Sequence, residues 1–129
     1  MLRTILIATN DPHMTYLLQR YAEECGFQAA KTSRGTDVLD VARQIAPALI
    51  IMETELPGAA GRDVLRWLKT EPSTRDIPVV FFSFWDDNVC NEVEGVAGYL
   101  QKSVMYDDFV RVLETAGVLP QNAPLEDSE

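Results

Sequence analysis

Apolar positions change their period from segment to segment along the chain. Thr4 to Ala8 (TILIA) is a short apolar run of strand length. Asp11-Pro12 then opens a helix, since Asp is a good N-cap and Pro suits the first turn. Met14, Leu17, Leu18, Tyr21 and Cys25 follow at helical spacing, and Gly26 ends the run. Phe27 to Thr32 reads as a weaker strand. Val38, Val41, Ala42 and Ile45 mark a second helix, stopped by Pro47. Leu49 to Met52 is a third strand, Val64, Leu65 and Leu68 a third helix, and Val79 to Phe82 a fourth strand behind Pro78. A short helix is expected near Asn88 to Glu94. Ala97 to Leu100 reads as a fifth strand, and Phe109, Val110 and Leu113 mark a last helix.

Strands alternating with helices predict a parallel sheet covered on both faces, a doubly wound α/β fold. With 129 residues the chain makes one domain, expected over 1–118. Residues 119–129 are rich in Pro, Asn, Gln, Glu and Asp and are expected to form a disordered acidic tail.

Composition narrows the partners. A net charge of −9 argues against nucleic acid, which calls for a basic face. The apolar runs are too short to cross a bilayer, and MLRTILIATN has a strand pattern and not that of a signal peptide. Cys25 and Cys90 have no metal or disulfide spacing and read as reduced thiols of a cytoplasmic protein.

Sheets of this kind place their site at the carboxyl ends of the strands. The residues there are Thr9, Asn10 and Asp11, then Glu53, Ser83 and Lys102. Glu53 is the most telling, a carboxylate between the apolar LIIM and the Pro57-Gly58 turn.

That series, in that order, resembles the receiver domain of bacterial response regulators over residues 3 to 116. PALIIMETELPGAAG resembles the family's phosphoacceptor strand, DIPVVFFS its fourth strand, GVAGYLQKS its fifth, and ILIATND occupies the place of its acidic pair. The resemblance implies a flavodoxin-like (CheY-like) fold of five parallel strands in the order 2-1-3-4-5. It also implies a non-enzymatic role in two-component signalling through protein partners, with a histidine kinase and an effector protein as candidates, as a monomer or weak dimer. Ser83, Tyr99 and Lys102 match the family pattern.

The departures carry the functional reading. Glu53 stands where the resemblance places a phosphoacceptor Asp, and Thr9 and Asn10 where it places two Mg²⁺-binding acids. Phe84 replaces a small residue at the phosphoryl pocket, and Ser103 a Pro after the Lys. The segment from Ser83 to Lys102 is shorter than usual by about 3.6 residues, one helical turn. Phosphoryl transfer needs a metal and cations to hold spreading negative charge. Here the matched positions hold one carboxylate and one lysine, whose charges cancel. No metal ligand set, no cofactor and no efficient phosphorylation are expected, and Mg²⁺ binding should be lost or very weak. The expected function is a phosphorylation-independent pseudo-receiver acting by protein–protein recognition. The alternative is a working phosphoacceptor with an unorthodox Mg²⁺ site built on Glu53 or Asp11. A flavodoxin-like enzyme or nucleotide binder is set aside, because no Gly-rich loop follows the first strand.

Glu53 either imitates a phosphoryl group toward Lys102 and Ser83 or forms an ion pair with Lys102 that only maintains the fold. Asp11 is a substitute metal ligand or, the simpler role, the cap of the first helix. His13 is expected to lie exposed in that helix's first turn. Tyr99 is a strand aromatic or a rotameric switch. Trp85 belongs to a helix start or, with Tyr106, to a candidate interface. Trp67 is expected to be a partly buried helix residue.

Overall fold

The computed structural model describes residues 3–83, 95–101 and 104–118, Ser83 by its backbone alone. The apolar runs pair side by side in one parallel sheet. Its strands are β1 (Thr4–Ala8), β2 (Gln28–Thr32), β3 (Leu49–Glu53), β4 (Val79–Ser83) and β5 (Gly98–Gln101), in the order β2-β1-β3-β4-β5. Among the described residues, four helices lie between and after them: α1 (Pro12–Glu24), α2 (Gly35–Ile45), α3 (Gly61–Thr70) and α4 (Tyr106–Thr115). The helix expected at 88–94 and the acidic tail at 119–129 fall outside the described residues.

Side chains alternate along a strand, so each strand feeds both faces of the sheet. Ile5, Ile7, Leu49, Ile51, Val80 and Phe82 pack with Met14 and Leu18 of α1 and Phe109 and Leu113 of α4. Leu6, Ala8, Ile50, Met52, Val79 and Phe81 pack with Val38 and Ala42 of α2 and Val64, Leu65 and Leu68 of α3. β3 is buried along its whole length, as a central strand covered on both faces must be.

Several strand boundaries differ by one residue from the expected ones: β2 begins at Gln28 and not Phe27, and β4 runs on to Ser83. β3 runs one residue further, to Glu53, which pairs with Phe82 inside the ladder. β5 begins and ends one residue later than expected, at Gly98 and Gln101. A Cβ on Gly98 would lie 2.7 Å from Val112 Cγ2, so this glycine lets α4 lie close against the edge strand.

Local chemistry ends the helices. Ala46 closes α2 in the left-handed region (φ 48°), with Pro47 next to it. The buried Thr74 hydroxyl donates to the Leu68 carbonyl of α3 at 2.7 Å. Lys69 Nζ donates to the carbonyls of Arg75 and Ile77 at 3.1 and 2.9 Å. No helix among the described residues is long and apolar enough to cross a membrane.

Candidate functional site at the carboxyl ends of the strands

β1 and β3 are direct neighbours, with Ile5 opposite Leu49 and Ile7 opposite Ile51 on the face covered by α1 and α4. Two residues on, the same alternation brings Thr9 and Glu53 together at the strand ends. Both are buried, at 3% and 5% exposure, where an unpaired polar group would be costly. They satisfy one another: Thr9 Oγ1 donates to Glu53 Oε1 at 2.7 Å. The same hydroxyl accepts from the Asp11 backbone N–H at 3.1 Å. A hydroxyl has a single hydrogen to give, and here it goes to the carboxylate.

Asp11 occupies the N-cap of α1 with an extended backbone. Its Oδ1 accepts from the backbone N–H of His13 at 2.9 Å and of Met14 at 3.4 Å. A carboxylate is favoured there, where free N–H groups and the helix dipole converge. Thr15 Oγ1 donates back to the Asp11 carbonyl at 3.0 Å. His13 is exposed in the first turn, beside this cap.

The opposite rim is the loop between β3 and α3. Asn10, Asp11, Glu53, Glu55, Leu56 and Pro57 together line an open cleft. Asn10 and Glu55 are exposed, while Leu56 is buried among the side chains of α2 and α3. The cleft wall is acidic, but among the described residues no three His, Cys, Asp or Glu side chains gather as a metal site. One oxygen of Glu53 is held by Thr9, and one oxygen of Asp11 by the helix start.

Of the remaining candidates, Ser83 ends β4, with its backbone opposite Gln101 of β5. Tyr99 is half-buried, packs at the edge of the α2/α3 side of the core, and lines a groove with Gly98, Asp108, Arg111, Val112 and Thr115. Tyr106 is 37% exposed at the start of α4. Its ring stands edge-on to Tyr21 at 5.6 Å, and its hydroxyl lies 3.6 Å from Cys25 Sγ. That contact with Cys25 pushes the Tyr106 phenol up to about 12. Tyr21 reaches on to the Val104 carbonyl at 3.5 Å, which ties the end of α1 to the start of α4. Trp67 is 38% exposed on α3. Phe84, Trp85, Cys90, Lys102 and Ser103 lie outside the described residues, so Lys102 and the Ser83 side chain are not placed relative to Glu53.

The Thr9–Glu53 hydrogen bond is not among the features expected from the sequence. There, position 9 stands only as the place of a missing acid. Strand alternation and the adjacency of β1 and β3 together carry the signal.

Comparison with known proteins agrees with this fold. The family model for the response regulator receiver domain matches residues 5–114. The polar-differentiation response regulator DivK of Brucella ovis is 27% identical over 118 residues, which cover 89% of this chain and 96% of that protein. DivK of Brucella anthropi is 27% identical over 116 residues, covering 88% and 94%. The signal receiver domain of a signal-transduction histidine kinase from Syntrophus aciditrophicus superposes with a TM-score of 0.78 at 25% identity, over 91% of this chain and 92% of that one. The chemotaxis response regulator CheY4 of Vibrio cholerae shares the fold, with a TM-score of 0.81 at 13% identity over 90% and 99%. With the family model matching residues 5–114 and the sheet order in agreement, the chain belongs to the response regulator receiver domain family.

Proposed function

We propose that this receiver acts in two-component signalling without phosphoryl transfer, as a binding module that presents a fixed surface to a signalling protein. A histidine kinase and an effector are the partner classes that fit the family, and the cytoplasm is the place of action that goes with them. The observation that carries this reading is the 2.7 Å hydrogen bond from Thr9 to Glu53. The carboxylate at the phosphoacceptor position is engaged by a neutral hydroxyl, at the position where the resemblance places a metal-binding acid.

Mg²⁺ demands near-octahedral oxygen ligands and sheds its water reluctantly. Position 9 offers a neutral hydroxyl whose hydrogen points at Glu53, and position 10 offers an amide. Asp11, the substitute acid, has an oxygen committed to the helix start. This set does not fit a divalent ion. Glu53 also carries one methylene more than Asp, and a reacting oxygen displaced by about 1 Å can cost ~10²-fold in rate.

Intact-mass measurement after incubation with acetyl phosphate and Mg²⁺ tests the reading. The expected result is no phosphoryl adduct on the unmodified chain or on Glu53→Asp alone. The variant to compare combines Thr9→Asp, Asn10→Asp, Glu53→Asp and Phe84→Ala, which restores all four family positions. Stoichiometric labelling of the unmodified chain, abolished by Glu53→Gln, overturns the proposal and establishes the unorthodox acceptor.

A further inference from the structure

The rim of the Glu53 cleft is held from outside the cleft. The Pro57 carbonyl accepts the Gly35 N–H at 2.8 Å, and Gly35 is the first residue of α2. Arg34, the residue before it, places no side-chain hydrogen bond on the helix start. A helix leaves its first N–H groups without internal partners, so the rim loop supplies a cap that the local sequence lacks.

The contact is close on both sides. A Cβ on Gly35 would lie 2.5 Å from the Ala59 carbonyl oxygen and 3.2 Å from Ala59 Cβ, so the two backbones meet at a distance only glycine permits. Across the contact, Gly58 has φ +88°, and a Cβ there would lie 3.2 Å from both Oγ1 and Cγ2 of Thr36. The loop is also closed on itself, since the Gly61 N–H donates to the Thr54 carbonyl at 3.0 Å. A Cβ on Gly61 would lie 3.1 Å from the Glu53 carbonyl. The segment carrying Glu55, Leu56 and Pro57 is therefore seated against the first turns of two helices.

We propose that Gly35 and Gly58 form a two-sided clamp that makes the first turn of α2 and the cleft rim one mechanical unit. Gly35 is then a positioning residue of the cleft. A partner that displaces the first turn of α2 changes the rim, and a ligand seated on the rim changes α2, by the reciprocity of any coupling. The inference rests on the reading of the cleft as the functional site. It names a route by which that site can be addressed without a phosphoryl group.

The test is amide NMR and hydrogen exchange on the full chain with Gly35→Ala, Gly58→Ala and the double variant. Gly35→Ala should shift the amides of Glu55, Leu56, Gly58 and Ala59. Gly58→Ala should shift those of Gly35, Thr36 and Asp37, and speed exchange at Gly35 by about tenfold, the size of one lost hydrogen bond. Amides of β2 and α4 should stay in place in both. The double variant should lose less stability than the sum of the singles, because the second substitution meets a clamp already open. Perturbations confined to the substituted element, or strictly additive losses, overturn the proposal. If Gly35→Ala does not fold, Gly58→Ala read at the Gly35 amide decides alone. The readout involves no phosphorylation, so labelling by acetyl phosphate would sink the proposed function and leave the clamp standing.

Discussion

The cleft has two sides, the start of α1 and the loop that seats the start of α2, and the two helix starts are held in opposite ways. On the β1 side, α1 carries its own cap: Asp11 bonds the N–H groups of His13 and Met14, and Pro12 needs no partner there. On the other side, α2 has no side-chain cap and borrows the Pro57 carbonyl from a distant loop. The first device is local and would hold the helix start wherever it was placed. The second exists only when the loop is docked. One side is therefore a fixed post, while the other is a joint between two elements.

The largest effect that sharpens this contrast concerns the residue between the two sides. Glu53→Asp shortens the side chain by about 1.5 Å and strands the buried Thr9 hydroxyl. The expected loss in urea unfolding is about 1–3 kcal/mol. Glu53→Gln keeps a carbonyl oxygen for Thr9 and should cost less, under ~1 kcal/mol. Equal losses for the two variants would break the account of this pair.

Next in size, Asp11→Ala should cost about 1 kcal/mol through the lost cap, and Asp11→Asn much less. The matching substitution at the start of α2, Arg34→Ala, should stay within ~0.5 kcal/mol. If Arg34→Ala costs as much as Asp11→Ala, the two helix starts are not built differently. At the far end of α2, Ala46→Gly relieves a left-handed alanine (φ 48°). It should stabilise the fold by roughly 0.5–1 kcal/mol, read as a higher unfolding midpoint.

The smallest effect is a titration away from both sides. The Tyr106 phenol sits at about 12 because of its contact with Cys25. A folded value above the unfolded ~10 means the contact favours the fold below pH ~10, and this support fades as pH rises through the folded value. Cys25→Ala should bring the Tyr106 ring-carbon titration down toward ~10 and leave the Thr9 and Asp11 amide signals where they were.

The legibility of these features follows the same divide. Asp11-Pro12 announces α1 because cap and helix are adjacent in sequence. The sheet was readable because Leu49 to Met52 and Val79 to Phe82 are apolar throughout, as central strands must be. The Thr9–Glu53 pair was within reach, since Ile5, Ile7 and Thr9 alternate on one strand and Leu49, Ile51 and Glu53 on its neighbour. It was missed because Thr9 was compared with an acid and not with the side chain opposite. The clamp was out of reach. Gly35 at a helix start reads only as a weak helix former, and nothing near it in sequence points to Pro57 or Ala59. The same holds for Gly98, whose reason is Val112 on another element.

The pairing of position 9 with position 53 also bears on how such a chain can change over generations. A change to acids at both position 9 and position 53 passes through single substitutions. Glu53→Asp taken first leaves the Thr9 hydroxyl buried without its acceptor. Thr9→Asp taken first sets a second carboxylate beside Glu53 in a buried place, where the two cannot both ionise cheaply. Each single step therefore costs stability. The hydrogen bond thus acts as a latch, since a change at either end of the pair alone lowers stability.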